Sequence, residues 1–400
     1  MLDEKILILG AMQMHLPLIK RAKERGLYVH TCDYVIENEG HKYADEPHYD
    51  STTDFEAVLK IATKAQIDAV FTFNSDPAAL TAAYVTKVLN LPGGGYEAVK
   101  VMSEKDLFRQ FLLNNGFNVP KFSNYTDWKS LEKDISKFKF PILLKPVDSS
   151  GSKGVVIINN PEHLRESFEN ALQFSRCKRI IIEEFIESVG AQFHGDGFVY
   201  NNKFVFVYLG DHHFNAAINN LVPYSTTFPS QHSQEDIERV KKEVERFISL
   251  VGFKQGGINI EARISAADGN VYLIEVGPRN GGNFTPIVIQ YAAGFNFVDA
   301  MIDSALGVFK TGEQEINPNG YFAYLILHSS KEGMLKNISI NPELEKKVIE
   351  KYIYVKKGER VHSFKGANAA IGVLIVKFDS FGDMNNYIDN FADYYKIELE

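Results

Sequence analysis

The chain has 400 residues, of which 45% are hydrophobic and 24% charged, and its formal net charge at pH 7 is −8. This length exceeds what one hydrophobic core ordinarily serves, so we expect two or three domains. Because the chain is acidic and has no basic tract, we do not expect a nucleic acid as its main partner. Its apolar runs are no longer than a strand, so we expect no membrane-spanning helix.

The amino terminus and the cysteines indicate the compartment. The first residues, MLDEKILILG, contain acids and lead directly into a strand, which is not typical of a signal peptide. Cys32 and Cys177 belong to no metal-type motif and predict no disulfide framework. We therefore expect a cytoplasmic protein.

Strand and helix patterns alternate through the first hundred residues. Apolar strand-like runs occupy residues 4–10, 28–33 and 69–73, and helical patterns stand between them, the second at 54–65. This β-α-β-α-β order predicts a parallel sheet with helices on both faces. The glycine cluster at 91–95 predicts a domain boundary.

The rest of the chain has a different pattern. A capped amphipathic helix, stopped by Gly116 and Pro120, is expected at 103–120. Short β-rich runs with Gly and Ser turns follow, interrupted by helices near 161–174 and 233–251. Strand-like runs at 321–328 and 370–378 belong to a smaller C-terminal α+β region.

Gly10 and Asp33 end the first two strands, as in many dinucleotide-binding sites. The residues after Gly10 lack the second and third glycines that let a pyrophosphate approach the backbone. We therefore favour a strand-to-helix turn here over a nucleotide site.

Two acids, Glu261 and Glu275, stand on consecutive strand-like runs joined by an Asp-Gly turn at 266–270, which predicts a hairpin. Facing residues of antiparallel strands lie about 5 Å apart, and two such carboxylates resist ionising together unless a cation lies between them. Mg²⁺ favours such oxygen ligands, and the nearby Arg279 suits phosphate or carboxylate oxygens. The alternative is a surface hairpin with two solvated glutamates.

A strand that ends in Lys145 leads into a Ser/Gly loop, DSSGSKG, at 148–154. Small residues allow backbone N–H groups to turn inward and bind an anion, to which Lys145 would add a positive charge. The pattern is not a Walker motif, because the lysine precedes the loop and no helix follows it. A plain Gly/Ser hairpin turn is the alternative.

The apolar strand at 179–187 becomes polar at Glu183 and Glu184. Its main chain could read adenine while Phe185 and Ile186 cover the ring, although the run alone fits a structural strand equally well. Its significance comes from the order in which lysine, lysine with glycine loop, acidic strand end, paired acids and arginine follow one another.

In that order the chain resembles the ATP-grasp superfamily, in particular the carboxylate–amine/thiol ligase branch that includes biotin carboxylase, carbamoyl-phosphate synthetase large subunits and L-amino acid ligases. The resemblance covers about the first 310 residues. It implies an α/β and α+β protein, with a Rossmann-like pre-ATP-grasp domain at 1–95 and the ATP-grasp domain at 96–310. A C-terminal α+β region at 311–400 would complete or cover the core.

The resemblance also implies residue roles. Lys105 and Lys145 would bind phosphates, Glu261 and Glu275 would hold the metal, and Arg279 would act with Lys145 in catalysis. The phosphate loop, the adenine linker and a ribose contact would comprise Ser149, Ser150, Gly151, Ser152, Gly154, Glu183, Glu184, Phe185, Ile186 and Gln192.

The chain departs from the family pattern at two positions. The family often has a metal-binding Asn two residues after the second acid, where this chain has Gly277 and only Asn280 lies nearby. It also often has a ribose-binding Glu after the adenine linker, for which Glu187 and Gln192 are the nearest candidates. Either change could lower nucleotide affinity.

The reaction implied by the resemblance uses Mg²⁺, with Mn²⁺ an alternative, and ATP to phosphorylate a carboxylate. An amine then attacks the acyl-phosphate, giving an amide, ADP and phosphate. We expect small-molecule carboxylate and amine substrates, no nucleic acid or membrane partner, and a homodimer. Substrate candidates are His212, His213, Asn280 and Asn283, although the two histidines also fit an ordinary polar surface loop. Bicarbonate activation as in carboxylases, or a catalytically silent nucleotide-binding module, are the other hypotheses.

Overall fold

The computed structural model describes residues 4–215, 219–310 and 316–400. Within these ranges the chain forms sheets of four, eight, three and four strands, surrounded by helices. This combination of a parallel sheet with antiparallel sheets confirms the predicted α/β and α+β class. In the same part of the chain, no helix is both long enough and apolar enough to cross a membrane.

The first sheet is parallel, as predicted. Its strands are β1 (Lys5–Leu9), β2 (Tyr28–Cys32), β3 (Glu46–His48) and β4 (Ala69–Phe71), in the order β3-β2-β1-β4. The helices between them and after them are α1 (Leu16–Glu24), α2 (Phe55–Ala65) and α3 (Asp76–Leu89). The edge strand β3 was not predicted, because it has only three residues and one is Pro47, a residue that sheets accept mainly at their edges.

Both faces of this sheet are covered by helices, which confirms the prediction. Ile6 and Ile8 of β1 pack with α1 in one apolar cluster. Leu7 and Leu9, which point to the opposite face, pack with α2 and α3 in another.

Gly10 and Asp33 stabilise the turn after β1. Asp33 Oδ2 accepts a hydrogen bond from the amide of Ala11 at 3.1 Å. Gly10 has φ +117°, and a Cβ there would lie 2.2 Å from the ring of His15. These contacts agree with the strand-to-helix turn favoured above.

A second, antiparallel sheet carries the lysine-loop segment. Its strands are β5 (Phe122–Tyr125), β6 (Ile142–Pro146), β7 (Val156–Ile158) and β8 (Ile180–Glu184), in the order β5-β8-β6-β7. The helices of this part are α4 (Tyr96–Ser103), α5 (Lys105–Asn114), α6 (Trp128–Asp134) and α7 (Leu164–Gln173).

The helix predicted within 103–120 begins slightly later than expected. Ser103 ends α4, and Glu104 stands at the N-cap position of α5 without a side-chain capping bond. The helix ends at Asn114 because Gly116, with φ +71°, takes a left-handed conformation. The predicted stop at Gly116 is confirmed, whereas the predicted start was wrong because Ser103 still belongs to α4.

The acids lie on the largest sheet. Its first strands are β9 (Gln192–Tyr200), β10 (Lys203–His213), β11 (Ser225–Phe228), β12 (Gln255–Ile264) and β13 (Val271–Gly277). The accompanying helices are α8 (Gln234–Val251), α9 (Thr285–Ala293) and α10 (Phe297–Ala305). The predicted helix α8 begins after Ser233, whose side chain accepts from the amide of Asp236, and ends at Gly252.

The C-terminal residues add strands to the same sheet. The strands are β14 (Tyr321–Leu327), β15 (Gly333–Ile340), β16 (Val348–Ile353), β17 (Arg360–Val361), β18 (Gly372–Phe378) and β19 (Tyr395–Leu399), and the helices are α11 (Pro342–Glu345) and α12 (Phe381–Asp389). The eight-stranded order is β13-β12-β9-β10-β11-β14-β18-β16, and β17-β15-β19 form the small third sheet. Single 3-10 turns occur at Gln13–His15, Glu39–Tyr43, Ile135–Lys137, Pro161–His163, Ala367–Ala369 and Phe391–Asp393.

The largest apolar cluster joins the parallel sheet to the eight-stranded sheet. It runs from Ile8 of β1 through Val288 of α9 and Ile302 of α10 to Phe198 of β9, all fully buried. Burying such side chains contributes about 1.5–3 kcal/mol each. A separate cluster that contains Ala79 of α3 and Val276 of β13 packs these two elements against each other.

Candidate active site

Glu261 and Glu275 face each other across β12 and β13, as the hairpin prediction required. The antiparallel register pairs the two residues directly, and an irregularity in the ladder follows at Glu261/Ala262. Their side chains are 27% and 31% exposed. Both side chains are thus largely buried, so the alternative of a surface hairpin with solvated glutamates does not describe this pair.

Glu261 is held by neighbours on β9, β10 and β12. Gln192 Nε2 donates to Glu261 Oε2 at 2.8 Å, and the other end of the Gln192 amide accepts from Arg263 Nε at 2.8 Å. His212 Nε2 lies 3.9 Å from Glu261 Oε1. Although burial opposes ionisation, the nearby His212 ring and the charges of Arg279 and Arg263 lower the pKa of Glu261. Gln192, predicted as a ribose contact, is thus engaged beside the predicted metal acid.

Glu275 is less well compensated. Burial raises its pKa, and the negative charges of Asp76 and Glu261 add to this effect against the positive charges of Lys105 and Arg279. The nearest guanidinium nitrogen of Arg279 is 3.9 Å away. Two neighbouring carboxylates, one of which is costly to ionise, are suitable ligands for a divalent cation, because the cation offsets their negative charges.

Arg279 is bound by Asp76, a residue that sequence reasoning missed. Arg279 Nε and Nη2 donate to the two carboxylate oxygens of Asp76 at 2.7 and 2.8 Å. A Cβ at Gly277 would lie 3.1 Å from Asp76 Oδ1. The carboxylate of Asp76, at the start of α3, therefore fills the space beside Gly277 where the family often has its third metal ligand.

Asn280 does not take that place. Its side chain is completely buried, and its amide nitrogen lies 3.4 Å from Asp196 Oδ2. Asp196 also accepts from the amide of Gly281, and burial raises its pKa to about 6. Asn283 has φ +52°, and its amide faces Met14 Sδ at 3.3 Å.

The two predicted phosphate lysines have different environments. Lys105 Nζ donates to the main-chain oxygen of Ser149 at 2.7 Å, which ties α5 to the Ser/Gly loop. Lys145 Nζ is buried and lies 2.5 Å from Glu183 Oε2. Burial lowers the pKa of Lys145, although Glu183 opposes this shift.

Glu183 is the centre of a buried ion cluster. Arg109 Nε donates to Glu183 Oε1 at 2.8 Å, and its other nitrogens donate to the carbonyls of Leu273 and Ile274. Although burial opposes ionisation, Arg109 and Lys145 lower the pKa of Glu183 to about 2. The Glu183 carboxylate is thus occupied by protein cations. Arg109 was missed, although its position one turn after Lys105 on the same helix was a usable signal.

The predicted adenine linker follows β8. The amide of Glu184 donates to Lys121 O, and that of Phe185 donates to Pro141 O. Arg263 lies over the Phe185 ring, 4.9 Å from its centroid, and donates to Ile186 O. These contacts fix the linker between the second sheet and β12.

The Ser/Gly loop has one internal hydrogen bond and one to a distant segment. Ser149 Oγ donates to Lys153 O, and Ser152 Oγ donates to Leu221 O, both at 2.9 Å. Gly151 and Gly154 have φ +64° and +73°, which explains why glycine is required there.

A cavity of about 290 Å³ brings several of these groups together. Its lining includes Lys105, Lys145, Ser149, Ser150, Glu183, Glu275 and Asp76. The described lining does not include the linker residues Phe185 and Ile186 or the acid Glu261. The volume is near the lower limit of ordinary ligand pockets.

The predicted substrate histidines do not lie on a loop. His212 and His213 are the last residues of β10, and they pair with β11. His212 Nδ1 is 2.6 Å from Thr226 Oγ1, and His213 Nε2 is 2.9 Å from Thr227 Oγ1. The alternative of an ordinary surface loop was therefore wrong. Burial lowers the pKa of His213 to about 4.

Sequence reasoning also missed His194. This residue of β9 stacks on His212 with ring centroids 3.9 Å apart, and burial lowers its pKa well below the ordinary value. Ligand atoms of His194, His212 and Glu261 lie within 4.8 Å of one another. The alternation of strand β9 was the available signal, since it places His194 on the same face as Gln192.

Comparison with known proteins identifies the fold. The family model of the ATP-grasp domain matches residues 138–287. An uncharacterised protein, y4rH, of Sinorhizobium fredii is 27% identical over 57% of this chain and 46% of that protein. The carbamoyl phosphate synthase large chain of Thermoanaerobacter pseudethanolicus is 25% identical over 57% of this chain and 21% of that protein. The chain thus spans less than half the length of these two relatives.

Solved structures match nearly the whole chain. The L-amino acid ligase from Bacillus licheniformis superposes with a TM-score of 0.84 at 22% identity and covers 100% of this chain and 99% of that one. The biotin carboxylase domain of 2-oxoglutarate carboxylase from Hydrogenobacter thermophilus, solved with MgADP, ADP and bicarbonate, has a TM-score of 0.76 at 18% identity over 99% of this chain and 91% of that one. The family match thus identifies an ATP-grasp domain at residues 138–287, and the superpositions show that the fold is shared over nearly the whole chain.

Proposed function

We propose that this protein is an ATP-dependent carboxylate–amine ligase that forms an amide and converts ATP to ADP and phosphate. The observation that carries the proposal is the direct pairing of Glu261 with Glu275, with Arg279 and Lys105 close to Glu275. Two facing carboxylates beside cations are what a metal-bound polyphosphate requires.

The donor set fits magnesium. Glu261 and Glu275 would hold the ion through carboxylate oxygens, and Mn²⁺ would accept the same ligands. When bound, the metal would neutralise phosphate charge and polarise the phosphoryl group. The raised pKa of Glu275 supports this assignment, because it marks a negative charge that the described side chains leave incompletely balanced.

The protein's own cations would do the remaining electrostatic work. Lys105, held at a main-chain oxygen, and Lys145, at the end of β6, would contact the phosphates. Arg279 would orient the γ-phosphate or the acyl-phosphate, with Asp76 fixing its guanidinium. Positioning and charge neutralisation of this kind dominate phosphoryl transfer. The loop with Ser149 and Gly151 would exclude water from the reactive phosphate.

The nucleotide base and the acceptor substrate would lie on opposite sides of the paired acids. Glu184, Phe185 and Ile186 would border adenine. The histidines His194 and His212, next to Glu261, would face the carboxylate or amine substrate. The likeness to an L-amino acid ligase over the full length of both chains favours amino acids as substrates. We place the protein in the cytoplasm, as a homodimer.

The proposal is tested by measuring ADP release with Mg-ATP across pools of amino acids and small carboxylates. Release that depends on a substrate pool, with an amide product found by mass spectrometry, is the expected result. Glu261→Gln and Glu275→Gln should each lower the rate by about 10²–10³-fold. Glu132→Gln, at an exposed position of α6, is the control and should retain the wild-type rate.

Two other outcomes would favour the alternatives. ATP binding with no ADP release in any pool would indicate a silent nucleotide-binding module, in which the Asp76–Arg279 pair holds the arginine away from phosphate. ADP release stimulated by bicarbonate alone would indicate carboxylase-type activation.

A further inference from the structure

Three metal-ligating side chains share one face of the parallel sheet, on its edge. His30 belongs to β2, and Glu46 and His48 belong to the edge strand β3. The parallel register pairs His30 with Glu46, and alternate residues of a strand point to the same side. None of the three lines the cavity that holds Glu275.

The ligand atoms already converge. His30 Nδ1 lies 3.1 Å from His48 Nε2, and Glu46 oxygens lie 3.8 Å from His30 Nδ1 and 3.9 Å from His48 Nε2. Two nitrogens bound tetrahedrally to one zinc ion would be about 3.3 Å apart, given metal–nitrogen bonds of about 2.0–2.1 Å. The observed nitrogen separation therefore matches a shared metal to within a few tenths of an ångström.

The exposed fraction increases from His30 to His48 to Glu46, as expected for a site that is open to solvent on one side. The side chain of His30 is 2% exposed, that of His48 17% and that of Glu46 54%. A single N–H···N hydrogen bond between the two rings also accounts for the 3.1 Å distance, and the experiment below separates the two cases.

The three residues border a surface cavity of about 850 Å³, whose lining also includes Asp50 and Asp54. We infer that His30, Glu46 and His48 form a binding site for a divalent transition-metal ion of the zinc type, with one coordination position open to this cavity. Two imidazoles and one carboxylate select such metals, whereas Mg²⁺ prefers oxygen ligands alone. The site is thus chemically distinct from the paired acids and does not depend on the proposed ligase activity.

Co²⁺ is the probe, because its visible d–d absorption reports nitrogen ligation and low coordination number. The full-length protein is titrated with Co²⁺ in the presence of excess Mg²⁺. We expect one Co²⁺ per chain with visible bands, which disappear when Zn²⁺ is added in competition. His48→Ala and Glu46→Gln, both near the surface, should each weaken Co²⁺ binding by at least about tenfold, since even loss of a group that only supports a ligand costs 10–100-fold. The exposed His362→Ala is the control and should bind like the wild type.

Three results would overturn the inference. The first is the absence of visible bands in the wild type. The second is unchanged Co²⁺ affinity in both His48→Ala and Glu46→Gln. The third is loss of binding in His194→Ala alone, which would assign the ion to the cluster next to Glu261. Circular dichroism of each variant verifies that it is folded.

Discussion

Two glutamate clusters near the same cavity have opposite electrostatics. Glu183 is in direct contact with Arg109 and Lys145, which lower its pKa to about 2. Glu275 has no such contact within the described residues, its nearest guanidinium is 3.9 Å away and already paired with Asp76, and its pKa is raised. The comparison indicates that Glu183 stabilises the fold, whereas the Glu275 carboxylate remains available to a ligand.

The largest predicted effect concerns the satisfied cluster. Glu183→Gln leaves two buried cations without their counter-charge, so we expect the free energy of unfolding to fall by about 3–5 kcal/mol. Urea denaturation measures it. Glu184→Gln, one residue along the same strand, should change it by less than about 1 kcal/mol. Equal losses in the two variants would contradict the special role of Glu183.

The Glu183 cluster should also contribute to the pH dependence of the free energy of unfolding. The pKa of Glu183 is lowered from 4.5 to about 2 on folding, so its contribution is complete above pH 4.5 and is lost as the pH falls toward 2. The shift corresponds to about 3 kcal/mol. Unfolding free energies measured from pH 6 to 2 should fall more steeply in the wild type than in Glu183→Gln. Parallel curves for the two proteins would contradict the lowered pKa of Glu183.

The Asp76–Arg279 pair is less deeply buried than the Glu183 cluster, so we expect it to contribute less to the free energy of unfolding. Asp76→Asn removes a charged acceptor from Arg279, so we expect a loss of about 1.5–3 kcal/mol in unfolding free energy. The pair of Lys347 with the exposed Asp379 supplies the control, because Asp379→Asn should cost about 0–1 kcal/mol. A cost for Asp76→Asn as small as that of the control would show that the pair does not connect α3 to β13.

The smallest expected change in the free energy of unfolding is that of Glu275→Gln. Because ionisation of Glu275 is disfavoured in the folded protein, Glu275→Gln should leave unfolding stability unchanged or raise it by up to about 1 kcal/mol without metal. Added Mg-ADP should then stabilise the wild type but not the variant. Thermal denaturation with and without Mg-ADP measures both. A variant that is strongly destabilised without ligand would place Glu275 in the same class as Glu183.

The sequence was sufficient where the signal was local. The strands β1, β2 and β4 follow from apolar runs, and the pairing of Glu261 with Glu275 follows from one turn and two alternating runs. Ser233 and Gly252 mark the ends of α8 for the same reason.

The unpredicted features depend on contacts between distant parts of the chain. Asp76 meets Arg279 across 203 residues, and Arg109 meets Glu183 across 74. In neither pair does the local sequence around one residue indicate its partner. The placement of His212 on a strand depended on β11, which supplies its pairing partner and was not predicted.

The assignment of Glu261 and Glu275 as metal ligands is tested most directly by Mn²⁺ binding in the presence of ADP, followed by electron paramagnetic resonance. The wild type should bind Mn²⁺ with a spectrum that changes on addition of ADP, and Glu132→Gln should behave in the same way. Glu261→Gln and Glu275→Gln should each lose this nucleotide-dependent signal. Wild-type Mn²⁺ affinity and spectra in both variants would contradict the assignment.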